Sequence, residues 1–408
     1  KKIIIGKSND CFDSLVFANR EIETAIIPSS IKYLKSSSFC ECNKLRSIEF
    51  QSDSSLISIG QNCFAHSSLI EIKIPNKVIE IEKNAFAGCL SFRSIEIDRK
   101  SELIFLESNI FSGCLIEKIF IPKKVKKIGE FCFSACRKLE VVEIDHESEL
   151  ETIERFAFTN SSIKSLYIPE KVVELREEWC HCTSNLEKIF ISPLNKNFGY
   201  LDEKKQIIIG ESSLEKDYFD TIYFACRNIE TAIIPSKIEY IKSSSFNGCK
   251  KIKYIEFSND SNLLFIGQNA FASSSLTKIR IPKHVKEIQE YSFSSTTNLH
   301  SIEFCENSEL ETINQYAFSF SYFLKISFPE SVRNLNERSF ECCYLLENLE
   351  FNGSQMKLNH FCFKDCAKLS IIAFPNATHI TVNEDVFKDF SDKTILFVFS
   401  NANIIIEN

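Results

Sequence analysis

Hydrophobic residues along this chain recur in short, strand-like clusters rather than at helical spacing. Leu45-Arg-Ser-Ile48-Glu-Phe50 and Leu69-Ile-Glu-Ile72-Lys-Ile74-Pro75 show the form, with apolar side chains alternating with charged ones. Such alternation turns one face of a strand inward, so Ile48, Phe50, Ile72 and Ile74 read as core and Glu49 and Lys73 as surface. A proline after the strand has no N–H to donate and ends the ladder there. The spaced pairs that follow (Val78 and Ile81; Val125 and Ile128) predict a turn of the chain back across the core.

The clusters are periodic. Pro28, Pro75, Pro122 and Pro169 stand 47 residues apart, and Pro235, Pro282, Pro329 and Pro375 follow at 47, 47 and 46. Phenylalanine keeps the same beat at Phe39, Phe64, Phe86, Phe111, Phe133 and Phe158. It resumes at Phe246, Phe271, Phe293, Phe318, Phe340, Phe363 and Phe387, in gaps that mostly alternate 25 and 22. Trp179 is read as the seventh aromatic anchor of the first half. Each period therefore holds two units of 22–25 residues, with the L-x-x-L-x-L segment and the length of a leucine-rich repeat. One such unit cannot bury its own apolar face, whereas a stack of them can. The predicted fold is a β-rich, curved leucine-rich-repeat solenoid of about fourteen units.

A second repetition lies above the first. Glu21–Pro28 recurs as Asn228–Pro235 and Lys35–Phe39 as Lys242–Phe246, both shifted by 207 residues, while Lys2–Gly6 recurs as Gln206–Gly210, shifted by 204. The chain thus divides into a first array over 1–194, a hairpin insertion over 195–210 and a second array over 211–408. Lys1–Gly6 matches the second strand of such a hairpin, so the chain reads as beginning inside a unit, as a segment of something longer.

The motif Ile121-Pro122…Val125…Ile128…Phe133…Cys136…Leu139, together with the Asn-x-x-Phe-x-x-Leu-Asp start of the insertion, resembles the BspA-like leucine-rich-repeat proteins of anaerobic bacteria and protist parasites. The resemblance covers nearly the whole chain and weakens after about Pro375. It implies a cell-surface or secreted protein engaged in adhesion or host contact. It carries over no catalytic residue and specifies no ligand.

Composition narrows the chemistry further. With 25% charged residues, a net charge of −7 and no basic block, the chain offers no footprint for nucleic acid. No apolar run is long enough to span a membrane. Of the 17 cysteines, eight fall three residues after an anchor (Cys42, Cys89, Cys114, Cys136, Cys182, Cys249, Cys343 and Cys366). Other anchors have Ser67, Ser274, Thr296 or Ser321 there, so the position calls for a small hydrogen-bonding side chain. The structural reading is favoured, with one or two disulfides as the alternative. Cys180-His181-Cys182 is the one metal-like cluster, but tetrahedral zinc requires further ligands that no spacing supplies. No HExxH, GxSxG or glycine-rich phosphate loop occurs, so neither enzymatic activity nor a cofactor is expected. Sequons at Asn160, Asn259, Asn352 and Asn376 fit secretion but are common by chance in a serine-rich chain.

The outward middle position of each strand faces the concave side in this reading. Glutamate recurs there at Glu49, Glu96, Glu143, Glu256, Glu303 and Glu350, and cross-strand ladders Glu49–Lys73–Glu96 and Glu256–Arg280–Glu303 are expected. Phe120, Tyr167 and Phe190, interrupted by Glu143, put aromatic rings on the same face where no coil covers them. The candidate binding residues are therefore Phe120, Glu143, Tyr167 and Phe190, with Lys73 and Glu96 beside them. The expected function is protein binding at a cell surface or after secretion, with host matrix and cell-surface proteins as candidate partners. Two alternatives remain open: a cytoplasmic interaction scaffold, suited to free thiols, and self-association through uncapped solenoid ends.

Overall fold

A computed structural model describes residues 2–4, 13–16, 18–213, 218–386, 395–398 and 402–407. Among these every regular element is a strand, and the chain forms two compact units, Lys1–Gly199 and Tyr200–Asn408. Each is a β-solenoid of leucine-rich repeats. Most coils contribute one four-residue strand to a long-strand face, as in Glu71–Ile74, and a two-residue strand to a second face, as in Glu80–Ile81; toward the end of the second unit the second-face strands lengthen to four or five residues, as in Gln355–Leu358 and His379–Asn383. Successive coils pair in parallel and in register, for example Lys73 opposite Glu96 and Phe120 opposite Glu143. Burial alternates along the long strands: in Glu71–Ile74 and Ser94–Ile97 the isoleucines are inside and the charged residues out.

The prolines occupy corners. The carbonyls of Pro28, Pro75, Pro122 and Pro169 accept the N–H three residues on, closing a tight turn after the long strand. Coils without proline carry a longer corner, closed by Ser54 N–H to Gln51 O, Ser101 to Asp98 and Ser148 to Asp145. The 22/25 alternation in the sequence is thus an alternation of short and long corners.

Inside each unit the anchor rings form a column. In the first, Phe39, Phe64, Phe86, Phe111, Phe133 and Phe158 stack near-parallel with centroids 5.1–5.6 Å apart. In the second, Phe246, Phe271, Phe293, Phe318 and Phe340 do the same at 5.1–5.3 Å. Aromatic pairs left to themselves choose offset or edge-on contacts; here the repeat of the strands, about 4.8 Å, imposes the stack. The expected anchor Phe387 lies outside the described residues.

Three expectations are corrected. Trp179 is not the seventh anchor. Each anchor N–H donates to the residue before the next anchor (Phe111 to Cys132 O, Phe133 to Ala157 O), and Phe158 donates to Trp179 O, so Cys180 holds the anchor place. The 22-residue gap from Phe158 agrees. A cysteine is too small to cover the Phe158 ring, and the neighbouring indole reaches it edge-on instead, at 6.3 Å and 86°. Consequently Thr183, not Cys182, takes the place three residues after the anchor; its hydroxyl bonds Cys180 O, and Cys182 is exposed. Finally, the repeated runs do not share a neighbour: Lys2–Ile4 pairs in parallel with Thr24–Ile27, whereas Ile207–Gly210 runs antiparallel to Thr221–Ala225. An Ile-Ile-Ile run specifies a strand but not its partner.

The inserted segment contains strands Phe198–Tyr200 and Ile207–Gly210, and the turn before the second is held by Asp202, whose carboxylate accepts the N–H groups of Gln206 and Ile207.

Candidate interaction surface

The cysteines are part of the scaffold rather than of a reactive site. Thiols of Cys89, Cys114 and Cys136 donate to the carbonyls of Phe64, Phe86 and Phe111, the anchors one coil back, at 2.9, 3.1 and 3.0 Å. Cys343 and Cys366 do the same to Phe318 and Phe340. Where the chain has Ser321 instead, its hydroxyl donates to Phe293 O at 2.8 Å, the same bond from a different atom. Burial pushes the Cys136 thiol up to about 12 and Cys89 to about 11, so neither is a thiolate near neutral pH. Cys89, Cys114, Cys136, Cys343 and Cys366 are not disulfide-bonded. Among the described residues no group of three metal-ligating side chains converges. No helix of the described residues is long and apolar enough to cross a membrane.

The long-strand face of the first unit holds the sequence candidates. Register places Phe120 opposite Glu143 and Tyr167 opposite Phe190, and the strands carrying Glu143 and Tyr167 adjoin. Phe190 is 54% exposed, and Val141, beside this row, is 46% exposed. Phe120 departs from expectation: the Arg99 guanidinium lies 4.9 Å from its ring centroid and reaches on to the Asp145 carboxylate at 3.8 Å. Arg99 and Asp145 stand on successive long corners and close over the short corner between them. A corner arginine has no periodic signature, so sequence reasoning missed it. Val141 was missed because it occupies the first rather than the middle outward position of its strand.

Of the expected Glu49–Lys73–Glu96 ladder one half forms: Lys73 meets Glu96 at 2.5 Å and makes no ion pair with Glu49. The corresponding ladder in the second unit does not form. Arg280 is in register with Glu303, yet Arg280 makes no ion pair with it or with Glu256. An exposed pair contributes only about 0–1 kcal/mol against the entropy of two long side chains, so adjacency alone does not close it.

A second periodic feature was legible but overlooked. Residues two before and two after each anchor have positive φ, among them Asn62, Asn84 and Asn109, which tolerate that region. In other coils the earlier site holds Phe131, Phe156, Tyr291 and Tyr316 at φ 54–57°. These rings stack outside the coil, Phe131 on Phe156 at 4.9 Å and Tyr291 on Tyr316 at 4.8 Å, with Arg338 donating to the Tyr316 hydroxyl at 3.1 Å. An aromatic two positions before an anchor was the available signal.

Residues 11–106, 104–201, 217–319 and 307–408 match the profile of the BspA type leucine rich repeat region. Similar solved structures include a leucine rich cell surface protein from Faecalibacterium prausnitzii A2-165, 20% identical with a TM-score of 0.61, covering 87% of this chain and 79% of that one. The pneumococcal vaccine antigen PcpA is similar at 19% identity and TM-score 0.59, covering 97% and 92%. A leucine-rich repeat protein from Eubacterium ventriosum is 18% identical with a TM-score of 0.50, covering 92% and 86%. At these identities the likeness is one of fold. No curated protein sequence matches the chain.

Proposed function

This chain belongs to the BspA-type leucine-rich repeat family, and on that premise we propose that it is a non-enzymatic protein-binding module acting at a cell surface or after secretion, in adhesion or host recognition. The observation that carries the reading is the aromatic cluster on the long-strand face of the first unit. Tyr167 and Phe190 lie side by side in register with Phe190 largely open to solvent, on a face whose other outward positions are mostly polar. Exposed aromatic rings on a rigid sheet lose little entropy on binding and dominate interface energetics. In this reading Tyr167 and Phe190 are the anchors, and Phe120 joins them once a partner displaces Arg99. Glu143 supplies a charge between the rings, and the Lys73–Glu96 pair forms a polar rim. Two proteins of this fold being named a cell surface protein and a vaccine antigen supports the placement at a surface.

The test is a binding survey of the chain against matrix proteins and whole host cells. A variant carrying Phe120→Ala, Tyr167→Ala and Phe190→Ala runs beside it. Saturable binding that the variant loses supports the reading. Equal binding by both sinks the assigned site, and no binding by folded protein to any surface sinks the adhesion reading.

A further inference from the structure

On the long-strand face of the second unit two cavities, of about 790 and 1450 Å³, share Arg280, Glu303, Cys305 and Glu306 and so form one groove running across the coils. Its floor carries Glu256, Arg280, Glu303, Ser327 and Glu350 on consecutive outward positions. Acidic positions therefore recur every second coil, and basic ones, Arg280 with Lys278 and then Lys325, fall between them. None of Glu256, Arg280, Glu303 and Glu350 is neutralised by an ion pair within the unit. In the first unit the matching row Glu49, Glu96, Glu143 is broken, because Lys73 takes Glu96 and Arg99 closes over the next short corner.

The alternation of sign selects the class of occupant. A nucleic acid or acidic polysaccharide carries one sign of charge and is repelled by three carboxylates in a row; a mixed-charge polypeptide is not. The period selects its conformation. Two coils advance about 9.6 Å at the spacing of paired strands. A polyproline II segment returns to the same side every third residue, after about 9.3 Å. A β-strand returns every second residue after about 6.7 Å, out of step with the carboxylates. An α-helix takes seven residues and about 10.5 Å, and drifts by about 2 Å over the three acids.

We infer that this groove docks a polyproline II segment of a protein partner that has a basic residue at every third position, each meeting one of Glu256, Glu303 and Glu350, and in each triplet an acidic residue turned a third of a turn to the side, toward Lys278 and Lys325, which line the groove one outward position before its floor. The inference rests on the chain being a protein-binding module but not on the aromatic cluster of the first unit, which is a separate surface.

The probe is a labelled peptide of four Lys-Pro-Glu triplets, followed by fluorescence anisotropy with the intact chain. A control of identical composition has its lysines two and four residues apart. The triplet peptide is expected to bind saturably and roughly tenfold more tightly than the control, the scale of one lost charge pair at an interface. Glu303→Lys should weaken it by roughly tenfold, Glu303→Gln by less, and Glu49→Lys in the first unit by less than about twofold. Binding should weaken as salt rises from about 0.05 to about 0.5 M. Equal binding of the control, insensitivity to Glu303→Lys in a variant of unchanged circular dichroism, or absence of saturable binding overturns the inference. Each of these leaves the first unit's aromatic cluster to stand or fall on its own alanine variant.

Discussion

The phenylalanine column offers a sharp test of what holds a coil to the next. Phe133 is fully buried, with Phe111 at 5.5 Å on one face and Phe158 at 5.2 Å on the other. Replacing it with leucine keeps most of the apolar volume and removes both ring contacts. Each aromatic pair contributes about 0.5–1.5 kcal/mol beyond area burial, so Phe133→Leu should destabilise the first unit by about 1–3 kcal/mol. The decisive quantity is the coupling between neighbours. Phe111→Leu, Phe133→Leu and the double variant, compared by urea unfolding, should give a coupling of about 0.5–1.5 kcal/mol, the contribution of the one stack they share. Phe64 and Phe133 are separated by the rings of Phe86 and Phe111, so that pair should be additive within about 0.5 kcal/mol. Trp179, the chain's single tryptophan, is buried against Phe158 at the end of the same column and reports the unfolding of this unit by its fluorescence. A coupling for Phe111 and Phe133 no larger than that for Phe64 and Phe133 would falsify the stacking argument and leave burial alone as the cause.

Further outcomes follow from the same contacts. Cys136→Ser keeps a donor for Phe111 O, whereas Cys136→Val fills the space without one; the valine variant should be the less stable by about 0.5–1 kcal/mol in urea unfolding, and the reverse order would remove the hydrogen bond from the argument. Most of the thiols should stay unreactive to a disulfide reagent at pH 8 in folded protein and titrate fully in urea, since burial raises Cys89, Cys114 and Cys136 well above that pH; rapid labelling of the folded chain contradicts it. Gly129→Ala places a Cβ 2.6 Å from the Glu107 carbonyl carbon and 2.7 Å from Leu106 O, so the coils must separate, at about 1–3 kcal/mol by thermal unfolding. Burial alone would raise the Asp385 carboxyl, but the His360 hydrogen bond at 2.9 Å, the His360 charge and the N–H of Phe361 outweigh it and lower it below its ordinary value. Its stabilising effect is therefore present above the unfolded carboxylate pKa of about 4 and is lost as pH falls below it; His360→Ala should flatten the stability profile in that acid range.

Much of the fold was legible because each coil repeats the same local chemistry. Alternating isoleucines marked the inner face, prolines marked the short corners, and anchors every 22 or 25 residues marked the coil length, all of which depend on neighbours close in sequence. The position three after the anchor was readable as small and hydrogen-bonding from its mixture of Cys, Ser and Thr, although its acceptor, the preceding anchor's carbonyl, appears only when coils are stacked. Register within a coil was harder. Trp179 has an anchor's size, but Phe158 bonds its carbonyl, and backbone geometry puts Cys180 in that place. The surface was least legible. Lys73 closes on Glu96 while Arg280 stays open, and Arg99 covers Phe120, because such contacts join side chains whose rotamers and corner lengths the one-dimensional pattern does not specify. The coil follows from local sequence, since strand alternation, turn chemistry and ring spacing act over a few residues. Which outward groups are covered, paired or left open is set by the stack, because coils about 4.8 Å apart bring together residues that lie some two dozen positions away along the chain.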